Sequence, residues 1–380
     1  MTWTDLSTGT GATTNAYTTP ATVPTDNAAL YRVKLNNGGA DVFSTAVVLS
    51  VNVFKLTTGT VSNANLDAVV DSANGRHLVY DRGGHVYYRK DAGAEEDLGL
   101  GSFPAIAVGS DLRPQVVYND GVGNIGYAVK TAGTWASSTA LTGYNASYSL
   151  TLDVDSGNFA HMAFDNGSGY GAVIYANNTT GTFADTVAAL AVGAYWGGGS
   201  GGYYRYAVIK MDASGYYHIA YRYDNWGGRA SWSARSIGIM TNNPAGNPGG
   251  SSGFDWNGGA SLGRRSLALD GSGNFQLIYN GVGTIYRAVA NGSGWTETSI
   301  TTGSQETLAV NGSTVDITWN TGSNKLSYTT DTGAGFGAPT PVGTGATPVS
   351  LLTTTGNRYF YYIYNDGVAD QVYLWANTVP

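Results

Sequence analysis

Polar and apolar residues alternate along most of the chain, as in Tyr31-Arg32-Val33-Lys34-Leu35, and no stretch sustains a 3.6-residue apolar period. The pattern predicts an all-β protein of many short strands.

The strands recur in a unit. In the copies starting at Asp212 and Asp270 it reads Asp-x-x-Gly-x-x-(His/Gln)-x-x-aromatic, then a turn, a strand with a second aromatic, and another turn. Seven copies can be laid out. The first aromatic falls at Tyr80, Tyr118, Phe164, Tyr221, Tyr279, Trp319 and Tyr364. The second falls near Tyr88, Tyr127, Tyr175, Trp232, Tyr286, Tyr328 and Tyr373, across hairpins such as Asn119-Asp120-Gly121. A period of roughly 40 to 60 residues matches four-stranded propeller blades. A third aromatic marks the outer strand at Trp135, Phe183, Trp295 and Phe336. The seventh copy runs out after Tyr373, and Phe54-Lys55-Leu56-Thr57-Thr58-Gly59 looks like its missing strand. The expectation is therefore a seven-bladed β-propeller over residues 52–380, closed by an N-terminal strand that removes an open pair of sheet edges.

With His218-Ile219-Ala220-Tyr221 and His161-Met162-Ala163-Phe164 as its clearest copies, the repeat resembles bacterial propellers of the Asp-box-like and His-x-Ala-Tyr type. That resemblance implies a fold rather than an activity. The full Ser-x-Asp-x-Gly-x-x-Trp box of sialidases is missing, so sialidase activity is not carried over.

Residues 1–51 read differently. Leu30 to Gly39 and Ala46 to Val51 look like the last strands of a bacterial immunoglobulin-like domain, with Trp3 as its core tryptophan. About 50 residues are half of such a sandwich. Either the chain is cut from a longer protein, or Met1 is the native start and a neighbouring subunit supplies the missing strands, which predicts self-association through residues 1–51.

Composition narrows the function. Charged residues are 12% of 380, Gly (55) and Tyr (27) are abundant, and the net charge is −7 with a pI near 5.0. This argues against nucleic acid as a partner. Without cysteines there are no disulfides or thiolate chemistry, which fits a bacterial or phage protein. No apolar run approaches the ~20 residues of a membrane span, and Met1-Thr2-Trp3-Thr4 does not open a signal peptide, so no membrane insertion is expected.

No catalytic residues are assigned. A glycosidase needs two carboxylates at a set separation, and no pair stands out; Glu95-Glu96 reads as a solvated turn. His77, His161 and His218 share one repeat position and could converge on a metal. Gln, Asp and Tyr fill that position in other copies, so a hydrogen-bonding column explains it, and neither metal nor cofactor is expected. Asp153-Val154-Asp155-Ser156-Gly157 and its counterparts read as Asx turns rather than calcium loops.

Two insertions rise above the repeat, in the third and fourth copies. They and the hairpin between them supply the candidate ligand-binding residues: Tyr195, Trp196, Tyr204, Arg205, Trp226, Arg229, Asp255 and Trp256. Aromatic faces with Arg, Asp and Asn suit sugar rings and hydroxyls; the alternative is that they pin long loops to the scaffold. The function expected is non-catalytic recognition of a glycan or surface polymer, at a cell surface, outside the cell or on a virion. Two other readings stand beside it: a structural subunit of an extracellular filament or phage appendage, and a polysaccharide-degrading propeller enzyme.

Overall fold

A computed structural model describes Leu30 to Asn377, apart from 36–37, 46, 49–52, 58–59, 61–64, 167–170, 191–200, 227–232, 246–253, 257–259, 291–293, 323 and 366. At 30, 47–48, 187–190, 201–203, 225–226, 233–236, 254–256 and 260 it describes the backbone alone.

The chain is a seven-bladed β-propeller. Six consecutive antiparallel sheets have inner strands at Leu66–Val70, Ser102–Val108, Leu150–Val154, Gly201–Met211, Leu267–Leu269 and Ser304–Asn311. In blade 5 a second short strand, Ala260–Ser261, also pairs with Phe275–Gly281. Blade 7 takes Ala346–Leu352, Arg358–Asn365 and Asp370–Ala376 from the C-terminal end and Val53–Lys55 from the other, with Leu374 opposite Phe54. The predicted closure is present.

The turn aspartate explains half of the repeat. Asp71, Asp155, Asp212 and Asp270 each accept two backbone N–H bonds within their own turn through Oδ1, as from Ser214 and Tyr216 to Asp212 at 2.9 Å. The free Oδ2 meets the residue six positions on: His77 (2.9 Å), His161 (3.1 Å), His218 (3.0 Å) or Gln276 (3.0 Å). That side chain reaches the third strand, with His77 Nδ1 2.8 Å from Tyr88 Oη and His161 Nδ1 2.7 Å from Tyr175 Oη. The histidines thus bind within their own blades and do not converge. Burial holds the His77 and His218 imidazoles below their ordinary pKa.

The residue after the first aromatic supplies a second column, which clamps blades 1, 2, 3, 5 and 6 each to the next. Asp81 accepts from Phe103 N (3.0 Å), Asn119 from Ala146 N (3.0 Å) and Asp165 from Tyr206 N (3.3 Å). Asn280 donates to the Gly303 carbonyl and Asn320 to that of Gly345 at 3.4 Å. These bonds replace water at blade junctions where an unpaired backbone group would be costly.

Two repeat assignments shift. In blade 7 the turn bond from Thr353 N to Asn357 O matches Asp71 N to Gly75 O, which aligns Tyr359 and Tyr362, rather than Tyr361 and Tyr364, with His77 and Tyr80. In blade 4 the second-aromatic place is not Trp232. Ile239 pairs with Ala220 there, as Tyr175 pairs with Ala163. Ile239 has no hydroxyl to offer, and His218 Nδ1 is left without a partner among the described residues.

The N-terminal residues form one interrupted hairpin, in which Leu30–Tyr31 pairs with Val47–Val48 and Lys34–Leu35 with Val42–Phe43. No further strand pairs with it among the described residues.

Candidate functional site

Two places on the ring bring chemistry together. One is the central channel, a cavity of about 330 Å³ bounded by the inner strands. Their channel-facing edges carry N–H groups with no ladder partner, and side chains of the preceding blade cap several of them. Ile106 N donates to Asp67 (3.0 Å), Ile209 N to Thr151 (3.2 Å) and Met211 N to Asp153 (2.7 Å).

The channel is strapped from blade 5. Arg265 reaches Asp67 of blade 1 with two bonds, Nε to Oδ1 at 2.8 Å and Nη2 to Oδ2 at 2.9 Å, and donates to the Ile106 carbonyl of blade 2 at 2.7 Å. Arg264 lies over the Phe103 ring at 4.2 Å. The other channel carboxylate, Asp153, pairs with Lys210 at 2.8 Å. Both channel carboxylates among the described residues are committed to cations and backbone N–H groups, which suits support rather than proton transfer.

Glu306 lies against the strap. A Cβ on Gly263 would meet its carbonyl at 2.5 Å, so only glycine permits that approach. The Glu306 carboxyl is buried, its Oε2 has no partner among the described residues, and burial pushes its pKa up to about 7. Below about 4.5 the unfolded chain is protonated too, so stability is unaffected there; between about 4.5 and 7 only the unfolded chain ionises, and stability falls as pH rises. Glu306→Leu restores the residue of the matching places Leu66 and Leu150. This substitution should flatten that slope by roughly 1 kcal/mol or more, read from urea midpoints at pH 5 and pH 8.

The second place is the upper part of blade 4. In blade 1 the second strand stops at Arg82, soon after Tyr80; in blade 4 it runs past Tyr221 to Trp226. At ~3.3 Å per residue the second strand of blade 4 runs roughly 10 Å further than that of blade 1. Register then aligns Tyr204, Tyr223, Ser236 and Asp255 in one row, Tyr203, Asp224, Arg235 and Trp256 in the next, and Gly201, Trp226 and Ser233 in a third. Five of the eight candidate residues, Tyr204, Arg205, Trp226, Asp255 and Trp256, therefore share one sheet although both insertions supply them. Tyr195, Trp196 and Arg229 lie outside the described residues, and for Trp226, Asp255 and Trp256 only the backbone is described.

Tyr204 is largely an anchor. Its ring stacks on Tyr223 at 4.8 Å and meets Tyr221 edge-on at 5.3 Å, and burial raises its pKa. Arg205 is half-buried, its guanidinium over the ring of Tyr148, 4.5 Å from its centroid. Tyr148 in turn lies 5.7 Å from Tyr206, and Tyr206 5.5 Å from the Arg222 guanidinium. Tyr206 has a left-handed backbone (φ 57°) at the inner-strand bulge, a place taken by Phe103, Gln305 and Thr347 in other blades. The buried Asp165 holds both tyrosines by their backbones, accepting from Tyr148 N at 2.9 Å and from Tyr206 N. The sequence reading missed Tyr148, Tyr206, Asp165 and Arg222.

Glu95 and Glu96 are not a solvated turn. Glu95 accepts from Tyr80 and Arg82, and Glu96 from Lys130 (2.6 Å) and Trp135 (2.8 Å) of blade 2. Glu297 repeats the arrangement under Tyr279 at 2.7 Å. Burial, with the adjacent carboxylates, pushes the Tyr80 and Tyr279 phenols upward, so these hydroxyls are donors and not bases.

No protein-family model and no curated protein matches the sequence. Solved structures do. An ulvan lyase of polysaccharide lyase family PL25, bound to -[GlcA(1-4)Rha3S]-, superposes with a TM-score of 0.58 at 13% identity, over 84% of this chain and 94% of its own. A catalytically inactive virginiamycin B lyase from Staphylococcus aureus with quinupristin gives 0.50 at 10% identity, over 86% and 99%. Aleuria aurantia lectin in complex with Fucalpha1-6GlcNAc gives 0.47 at 12%, over 72% and 91%. The likeness is one of fold.

Proposed function

We propose that this propeller is a non-catalytic recognition protein that binds a glycan or other surface polymer, outside the cell or on a virion, through the raised upper part of blade 4. The observation that carries the reading is the overrun of the blade 4 strands, which gathers aromatic, Arg and Asp positions of two insertions on one rigid sheet. A rigid platform of this kind needs little ordering on binding. Both channel carboxylates are already paired, which favours binding over degradation. That a polysaccharide lyase bound to an oligosaccharide shares the fold is compatible with a saccharide ligand.

The test is a glycan array followed by titration of the best ligand. Trp256→Ala and Arg205→Ala should each weaken binding about tenfold or more, with unchanged circular dichroism; wild-type affinity in both would remove this site. Release of reducing ends from the bound polymer would restore the enzyme reading.

The N-terminal hairpin favours a second reading, a structural subunit that self-associates. Val33, Leu35, Val42 and Phe43 are all exposed on it. Light scattering across a concentration series tests this, and a monomer at all concentrations would count against it.

A further inference from the structure

The repeat offers an internal control for function, because a residue that departs from a structural column is freed for another role. In blades 1, 2, 3, 5 and 6 the place after the first aromatic holds Asp81, Asn119, Asp165, Asn280 and Asn320, each clamping the next blade. Blade 4 has Arg222 there, which cannot accept a backbone N–H and binds Asp224 Oδ1 instead, Nε at 2.6 Å. Its cross-strand partner is Arg205. Like charges directly opposite each other in a sheet repel. These two are among only 19 Lys and Arg residues in a chain of net charge −7.

Their surroundings suit an anion attached to a ring. Tyr148 and Tyr206 lie between the two guanidiniums, as measured above, and Tyr148 is 43% exposed. The base of the cluster is fixed by Asp165, which accepts both tyrosine N–H groups and the Ser149 hydroxyl (2.7 Å), and is 1% exposed. Guanidinium forks bind carboxylate or sulfate oxygens in pairs, while phenol faces cover the apolar C–H face of a sugar.

Resting on the glycan-binding reading, we propose that the ligand is an anionic polysaccharide, carrying carboxylate or sulfate groups, whose charges are taken by Arg205 and Arg222 at the junction of blades 3 and 4. The full chain would be titrated with polygalacturonate, chondroitin sulfate and neutral dextran at 50 and 300 mM NaCl. Binding to at least one anionic polymer, weakened about tenfold or more by the higher salt and by Arg222→Asn or Arg205→Gln, is expected. Arg222→Asn restores the residue of three other blades and should fold. Asp224→Asn, which removes the competing carboxylate, should tighten binding, an effect that loss of a purely structural ion pair would not produce. Binding of dextran alone, or of an anionic polymer equally by wild type and both arginine variants, would overturn the inference and leave glycan recognition standing. No binding to any polymer here or on the array would overturn both.

Discussion

Replacing Arg265 by alanine should destabilise the propeller by about 3 kcal/mol, near the lower end of what breaking a buried ion pair costs. Its partner Asp67 is 3% exposed and is met by two guanidinium nitrogens. Without them the carboxylate keeps only the backbone N–H groups of Ala68 (2.9 Å) and Ile106 (3.0 Å). The arginine is partly open to solvent, which holds the expected loss below the upper end of the range. The same substitution releases the Ile106 carbonyl, so blades 1, 2 and 5 lose a shared fastening across the channel. Urea unfolding would read the loss. Asp67→Asn in the Arg265→Ala background should recover part of it, because a neutral amide no longer needs a counter-ion. A single-variant loss within about 0.5 kcal/mol of zero would mean that the strap is held by blade 5 alone.

The features legible in the sequence are those with a local cause. Asp at the start of a turn and His or Gln six residues on sit in fixed register because one carboxylate accepts from the turn's N–H groups and meets that side chain, and this made the blades countable. Blade 7 slipped by two residues because Tyr359, Phe360, Tyr361, Tyr362 and Tyr364 crowd one strand, so any of several phases satisfies an aromatic pattern. Only the turn bond at Thr353 sets the phase. The strap had no local signature, since Arg265 and Asp67 are 198 positions apart.

Arg222 is a different case. Its signal was present, Asp or Asn after the first aromatic in five copies and Arg in one, but the column has no meaning until the clamp to the next blade is seen. The insertions drew attention by length, while the residues that organise their base, Tyr148 and Asp165, belong to the ordinary repeat.

Removing the closing strand should have the larger effect. A chain starting after Thr57 lacks Val53–Lys55, which pairs with Tyr373, Leu374 and Trp375. It also lacks Thr57, whose hydroxyl donates to Gln371 Oε1 (2.9 Å) and accepts from Val372 N (3.0 Å) in a buried place. Phe54 and Leu56 leave the cluster that includes Leu66 and Tyr361, and the Leu56 carbonyl no longer accepts from Arg89 of blade 1 (2.6 Å). Two half-buried apolar side chains contribute ~1 kcal/mol each, and the lost bonds ~1 kcal/mol each with a further penalty for buried groups left unpaired. The sum is about 5 kcal/mol or more, comparable to the whole stability of many domains. The strand Asp370–Ala376 would become an open edge carrying Val372 and Leu374, a template for pairing with other chains. The truncated chain should therefore unfold at much lower urea and form concentration-dependent oligomers by light scattering. Thr57→Val in the full chain separates the two causes: it keeps the edge covered, so it should lose about 1 to 3 kcal/mol and stay as monodisperse as the wild type. A truncated chain as stable and as monodisperse as the full one would mean that three strands suffice for blade 7 and that the ring does not depend on its fastening.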